Sequence, residues 1–169
     1  MFLCLYSGGV RKRNEIIDLR VVERVGKKGT FTYIPSDSTN PGSAAFFEYF
    51  KRYFGYYGIR RFKYFCHDRP FGASDVRDAF KADAVYLSGG NTFYFKGSLR
   101  RSKIEPMLRK YVAAGGALVG QSAGSVLMTP TISTAAVGPV KDPNEVGLKD
   151  LSGLRLIDIL FVPHYEPRK

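Results

Sequence analysis

The residues with the clearest chemical potential are Gly120-Gln121-Ser122-Ala123-Gly124, which follow a short apolar run. Their spacing is that of a nucleophile elbow, in which a serine lies on a sharp turn between a strand and a helix. The flanking glycines allow the tight backbone, and the free N–H groups that open the helix can stabilise an oxyanion. The same spacing also occurs in ordinary small-residue turns. Context favours the functional interpretation, because a predicted helix ends at Gly115-Gly116 and a predicted strand leads to the serine.

A serine hydroxyl is a weak nucleophile without a base, and histidine is the usual base. The chain has two histidines, His67 and His164. His164 follows a proline and an apolar run over 156–162, which we interpret as a strand that ends at the carboxyl edge of the sheet. His67 also follows a predicted strand, but it precedes the serine. Because α/β-hydrolase-like sites place the histidine after the serine, we favour His164 as the base.

A second glycine loop, Ser88-Gly89-Gly90-Asn91-Thr92, follows a predicted strand over 84–87. Adjacent glycines let backbone N–H groups face a ligand, so this loop could supply an oxyanion donor beside the N–H of Ala123. The loop lacks the dinucleotide and P-loop patterns, and we therefore do not expect it to bind phosphate. Two isolated histidines and two cysteines have no metal-ligand spacing, so we expect neither a metal nor another cofactor.

Short apolar strands alternate with helices along the chain. We predict strands over 2–6, 30–34, 61–66, 84–87 and 117–121, and helices over about 14–25, 46–54, 75–80 and 102–114. This alternation indicates a three-layer α/β fold, a mostly parallel sheet with helices on both faces. After the elbow helix, residues 131–140 are predicted to be a strand or an extended loop. The aromatic residues of the second helix recur at helical spacing, and we interpret them as core packing rather than as a ligand-binding box.

Length and composition limit the class of protein. With 169 residues the chain fits one domain, which we expect to span 1–169. Its net charge of +11 favours loose adhesion to polyanions, but the basic residues are dispersed and accompany no nucleic-acid-binding motif. We therefore predict a solvated basic surface and no specific nucleic-acid partner. No apolar run has membrane-spanning length, no signal peptide is recognisable, and the cysteines form no disulfide framework, which together favour a cytoplasmic protein.

Several ordered motifs together resemble one family, dipeptidase E (aspartyl dipeptidase) and cyanophycinase. The matching motifs, in chain order, are Leu87-Ser88-Gly89-Gly90-Asn91-Thr92-Phe93, Val119-Gly120-Gln121-Ser122-Ala123-Gly124-Ser125, Pro130-Thr131-Ile132, Asp142-Pro143-Asn144 and Pro163-His164. The resemblance covers the chain from about its first strand to its end. It implies a serine peptidase with a class I glutamine amidotransferase-like fold. Those amidotransferases carry a cysteine at the elbow, so serine argues against glutamine hydrolysis by a thiolate.

The resemblance also implies roles for individual residues. Ser122 would be the nucleophile, His164 the general base, and the N–H groups of Gly90 and Ala123 the oxyanion hole. We further expect three residues of the two loops to contact the substrate: Gly89, Asn91 and Gln121.

Two departures from the family affect these expectations. The position that matches the family's acidic triad member is Val137, so Asp142, or alternatively Glu145, would have to orient His164. The family also continues past the histidine, and that continuation holds an arginine that selects an N-terminal aspartate in the substrate. We therefore expect a domain that is short at its C-terminus relative to the family, and we do not transfer the aspartate specificity.

The leading hypothesis is a serine peptidase that hydrolyses short peptides through a Ser122 acyl-enzyme, with a homodimer as one assembly it could form. The alternative is a non-catalytic amidotransferase-like domain that binds a partner or a small ligand, which the missing acid and the short C-terminus would favour. A third hypothesis, a polyanion-binding protein, rests on the charge alone.

Overall fold

A five-stranded parallel sheet forms the centre of the molecule, as seen in a computed structural model that describes residues 1–165. The strands are β1 (Phe2–Tyr6), β2 (Thr30–Ile34), β3 (Arg61–Tyr64), β4 (Ala84–Leu87) and β5 (Ala117–Gln121). Their order across the sheet is β1-β5-β4-β2-β3, and every pair is parallel. The two central strands, β4 and β5, are almost fully buried, which explains why they consist of near-continuous apolar residues.

Helices cover both faces of the sheet. They are α1 (Arg11–Val25), α2 (Ser43–Gly55), α3 (Ala73–Ala79), α4 (Thr92–Arg101), α5 (Ile104–Ala113) and α6 (Ala123–Leu127). Helices α1 and α2 pack on one face of the sheet in an aromatic-rich core, and α3 to α6 pack on the other face in a more aliphatic core. This arrangement confirms the predicted three-layer α/β fold with a mostly parallel sheet.

The register of the sheet places two loops side by side. Leu87 at the end of β4 pairs with Gly120 near the end of β5. Because parallel strands end at the same edge, the glycine loop after β4 and the elbow after β5 are neighbours. The predicted bounds of β1, β2, β4 and β5 agree with the structure, and the third strand ends two residues earlier than predicted, at Tyr64.

Three segments differ from the prediction. Helix α4 was not anticipated, and it begins where the side chain of Asn91 accepts a hydrogen bond from the N–H of Tyr94. Residues 131–140 contain a short 3-10 helix, Ser133–Ala136, in place of a strand. The predicted strand over 156–162 is wrong, since that segment has no strand hydrogen bonding and leaves Ile159 and Leu160 substantially exposed.

Of the helices among residues 1–165, none combines the length and the apolar character that a membrane span requires.

Candidate active site

Ser122 lies at the turn between β5 and α6, with φ 50° and ψ −109°. Such a backbone is strained for a residue with a side chain, and it is held by hydrogen bonds. The N–H of Ser122 donates to the carbonyl of Tyr6 at 2.8 Å. The hydroxyl of Ser125, fully buried one turn later, donates to the carbonyls of Tyr6 and Gly120. The elbow is therefore fixed to β1 on one side and to β5 on the other.

His164 lies beside the serine, with its Nε2 2.9 Å from the Oγ of Ser122. Its backbone N–H donates to the Oγ of Ser7 at 2.6 Å, and its φ is 59°. The ring packs near Gly8, where a Cβ atom would lie 3.7–3.8 Å from Cε1 and Nδ1. The loop after β1 thus contacts His164 from the side, whereas residues 156–162, which lead directly to it, form no strand.

The predicted oxyanion donors lie on the two neighbouring loops. Neither the N–H of Gly90 nor that of Ala123 donates to a protein acceptor within residues 1–165. Gly90 has φ +136°, and a Cβ atom there would lie 2.0 Å from the Oγ of Ser36, so only glycine fits. The adjacent Gly89 also faces the serine, with its built Cβ position 3.6 Å from the Cβ of Ser122. The N–H groups of Gly90 and Ala123 therefore have no protein acceptor among residues 1–165 that would compete with a substrate oxygen.

The two carboxylates proposed to orient His164 are not beside it. Asp142 accepts hydrogen bonds from the N–H and the hydroxyl of Thr92, at 2.8 and 2.6 Å, at the start of α4. Glu145 is exposed. Neither forms an ion pair with His164, and within residues 1–165 no carboxylate oxygen lies within 4.0 Å of its ring nitrogens. The carboxylate of Asp142 therefore stabilises α4 rather than the imidazole.

His67, the histidine that we did not favour, is far less accessible. Its side chain is 1% exposed and packs against the ring of Phe95, with centroids 5.3 Å apart. Burial lowers the pKa of His67 to about 4, against the opposing effect of the nearby carboxylates of Asp68 and Asp37. The residue contributes to the core around α4 and does not line the cavity beside Ser122.

The three residues expected to contact substrate have different environments. Gly89 and Gln121 line the cavity beside the serine, and the amide oxygen of Gln121 accepts a 2.5 Å hydrogen bond from Tyr86. Asn91 does not line it, because its side chain caps α4 through the N–H of Tyr94 and donates to the carbonyl of Pro143. The side chain of Asn91 thus connects the start of α4 to the loop that contains Pro143.

A cavity of about 720 Å³ opens beside Ser122 between α2 and the sheet. Its walls are mainly aromatic, and Gly89 lies beside the serine. The lining residues are Tyr6, Gly9, Asn14, Tyr33, Gly42, Ala45, Phe46, Tyr49, Phe50, Tyr53, Phe54, Tyr86, Gly89, Gly90, Gln121, Ser122 and His164. The aromatic residues of α2 therefore do more than pack the core, which is all that the sequence led us to expect of them.

A buried carboxylate behind this cavity was also not anticipated. Asp18 is fully buried in α1 and accepts hydrogen bonds of 2.7–2.8 Å from the hydroxyls of Tyr6, Tyr53 and Tyr57. Burial, and then the hydrogen bond to Asp18, raise the pKa of Tyr53 above its ordinary value. These tyrosines therefore remain neutral donors at physiological pH. The helical spacing of Asn14 and Asp18 on a face that also carries Val21 and Val25 was the available signal.

A strained serine at a strand–helix turn, with a histidine in hydrogen-bonding reach and free N–H groups beside it, defines a serine hydrolase-like site. The model of peptidase family S51 matches residues 3–169. The chain therefore belongs to peptidase family S51, as the resemblance to dipeptidase E implied.

Individual relatives are similar over about half of the chain. An uncharacterized peptidase of Pasteurella multocida (strain Pm70) is 33% identical over 85 residues, which are 50% of this chain and 41% of that protein. A peptidase E of Nostoc sp. (strain PCC 7120) is 36% identical over 84 residues, which are 50% of this chain and 33% of that protein. The chain thus matches well under half the length of these curated relatives.

A solved structure supports the fold. A protein from Listeria monocytogenes EGD-e, described as a peptidase E, superposes with a TM-score of 0.77 and 24% identity. The superposition covers 96% of this chain and 78% of that one. A peptidase from an acI-B1 actinobacterium gives a TM-score of 0.55 at 18% identity, over 91% of this chain and 64% of that one.

Proposed function

We propose that this protein hydrolyses short peptides through an acyl-enzyme on Ser122. The observation that carries the proposal is the 2.9 Å separation between the Oγ of Ser122 and the Nε2 of His164. That distance is within the range expected for a nucleophile and its general base, even before a substrate binds. Membership of a peptidase family supports the same reaction class.

In the proposed reaction, the Oγ of Ser122 attacks the carbonyl carbon of the scissile bond as the Nε2 of His164 takes the hydroxyl proton. The N–H groups of Ala123 and Gly90 hold the developing oxyanion. The tetrahedral intermediate then collapses, and His164 gives its proton to the departing amine. A water molecule, deprotonated by the same nitrogen, hydrolyses the ester and restores the serine hydroxyl.

The orientation of His164 in this reaction would come from the backbone. The bond from its N–H to Ser7 and the contact of its ring with Gly8 would position the residue without an acidic side chain from residues 1–165. Among residues 1–165 no carboxylate lies beside the imidazole of His164. With only those residues to supply an acid, we expect slower catalysis than in a complete triad.

The alternative, a non-catalytic domain that binds a small ligand, is favoured by one observation. Within residues 1–165 no carboxylate accompanies the ring nitrogens of His164. The two functions differ in whether Ser122 is reactive, and this difference can be measured directly.

Labelling by a small fluorophosphonate tests the proposal. The parent protein should be labelled at Ser122, and Ser122→Ala should lose both labelling and peptide hydrolysis without a change in melting temperature. Ser133→Ala, which removes an exposed serine outside the cavity, is the matched control and should react like the parent. Absence of labelling in a folded parent protein, or labelling that survives in Ser122→Ala, would support the non-catalytic alternative.

A further inference from the structure

We propose that the cavity beside Ser122 binds an aromatic or large aliphatic side chain of the substrate, on the residue whose carbonyl is attacked. The assignment of that side chain to the acyl side rests on the proposed function. Binding of an aromatic group in the cavity does not, because it follows from the shape and chemistry of the walls.

The inner wall of the cavity is a packed aromatic surface. The ring of Phe50 lies 4.5 Å from that of Tyr86 and 5.1 Å from that of Tyr33, measured between centroids. Phe54 continues the wall at 5.1 Å from Phe50. These rings are buried between α2 and the sheet, so the wall is closely packed and mainly apolar.

The outer rim of the cavity exposes apolar surface. Phe46 is 66% exposed and Tyr49 is 46% exposed, although both lie on the side of α2 that faces the cavity. Gly42 and Ala45 also line the cavity, and neither has a side chain large enough to fill it. An apolar side chain that entered from the serine would cover this surface and remove it from water.

The charges around the cavity disfavour an acidic side chain. Among the lining residues from the described part of the chain there is no lysine or arginine that could pair with a carboxylate. Burial raises the pKa of Tyr33 to about 12, so its hydroxyl stays neutral. Behind the wall, the carboxylate of Asp18 accepts hydrogen bonds from the hydroxyls of Tyr6 and Tyr53, so a second carboxylate on this side would meet a like charge. A neutral, apolar side chain is therefore the best match.

Binding can be tested without catalysis, because the chain contains no tryptophan. In the Ser122→Ala variant, N-acetyltryptophanamide should bind with a blue shift of its indole emission, which tyrosine does not obscure. N-acetylphenylalaninamide should displace it, and the aspartate analogue should not. An indole emission that never shifts, or displacement by the aspartate analogue at equal concentration, would overturn the inference.

A matched pair of variants on α2 locates the bound group. Ala44 and Ala45 are both exposed, but only Ala45 lines the cavity. Ala45→Arg should weaken binding of N-acetyltryptophanamide at least tenfold, because it places a long charged side chain on the cavity lining. Ala44→Arg adds the same charge one position away and should change binding less than twofold. Equal effects of the two variants would place the ligand elsewhere.

Turnover separates the inference from the proposed function. In the parent protein, kcat/KM for Phe-Gly and Leu-Gly should exceed that for Asp-Gly and Gly-Gly by at least tenfold. Hydrolysis with a preference for aspartate, or with none, would refute the apolar specificity and leave the serine peptidase intact. Indole binding without hydrolysis of any peptide would refute the peptidase and support the cavity as an aromatic-binding site.

Discussion

Gly120 and Gly124 are in direct backbone contact across the turn that carries Ser122. A Cβ atom built on Gly120 would lie 2.5 Å from the carbonyl carbon of Gly124, and one built on Gly124 would lie 2.2 Å from the carbonyl oxygen of Leu87. The two glycines therefore let β5, α6 and the end of β4 approach more closely than side chains would allow. This close approach brings Ser122 beside the glycine loop that holds Gly90.

Replacement of Gly120 by alanine tests this contact. The added methyl group would meet backbone atoms, which cannot move aside as a flexible side chain can, so we expect Gly120→Ala to lower the free energy of unfolding by about 1–3 kcal/mol or more. Denaturant unfolding measures the change. The control is Gly55→Ala at the end of α2, where the added atom would be 3.7 Å from Arg60 and should leave stability nearly unchanged. A Gly120→Ala variant as stable as the parent would show that the elbow tolerates a wider turn.

The strained backbone of Ser122 leads to a second prediction. Its φ of 50° is readily adopted by glycine, so Ser122→Gly should relieve strain and raise the free energy of unfolding by roughly 1 kcal/mol, while it removes the nucleophile. Ser122→Ala keeps the strain and should match the parent in stability. Thermal melts of the three proteins give the comparison. The same stability in Ser122→Gly and Ser122→Ala would argue that the serine backbone carries no strain.

The parts of the fold that were predicted correctly depend on local sequence. The central strands are short, apolar and bounded by turn residues, so their positions follow from pattern alone. Helix α4 was missed because its buried residues include Lys96, which pairs with Glu105 of the next helix at 2.5 Å. A buried lysine interrupts the apolar pattern of a helix face. Only its tertiary ion pair explains why such a residue is buried.

In the candidate site, too, the features that depend on local sequence could be predicted, and those that depend on tertiary contacts could not. The elbow around Ser122 is local, and with two histidines in the chain His164 could be selected by order. The role of Asp142 could not be found this way, because its partner Thr92 is 50 positions away. The aromatic spacing of α2 was recognised, but which of its rings face a cavity depends on how far the helix stands from the sheet.

Removal of the Asp142 carboxylate distinguishes a structural role from a catalytic one. The N–H and hydroxyl of Thr92, a residue that is 1% exposed, would lose their acceptor, so Asp142→Ala should cost about 1–3 kcal/mol of stability. Labelling of Ser122 at a temperature where the variant is folded should stay within about threefold of the parent, whereas loss of a true triad acid slows catalysis by about 10⁴.

Two further variants serve as controls for Asp142. Asp142→Asn keeps an oxygen acceptor and should recover part of the stability, and Glu145→Gln, at an exposed position, should behave like the parent. A large drop in the labelling rate of Asp142→Asn, with its stability retained, would instead assign the carboxylate to the reaction.

The buried imidazole of His67 makes stability depend on pH. Its pKa in the folded protein is lowered to about 4, because burial disfavours the charged ring despite the carboxylates of Asp68 and Asp37, while Arg101 adds to the lowering. The unfolded chain binds a proton at this residue below about pH 6.5, and the folded protein does not do so until about pH 4. Stability should therefore fall as the pH drops through this window, by an amount of the order of 3 kcal/mol.

Comparison with His67→Gln separates the contribution of His67 to the pH dependence of stability from that of the carboxylates, which titrate in the same range. His67→Gln removes the titrating ring, so its free energy of unfolding, measured by denaturant at each pH, should fall less steeply between about pH 6.5 and 4. The difference between the two curves should be constant above this window and should shrink within it. Curves that stay parallel down to pH 4 would mean that the folded protein accommodates the protonated ring, with Asp68 as the nearest carboxylate able to stabilise it.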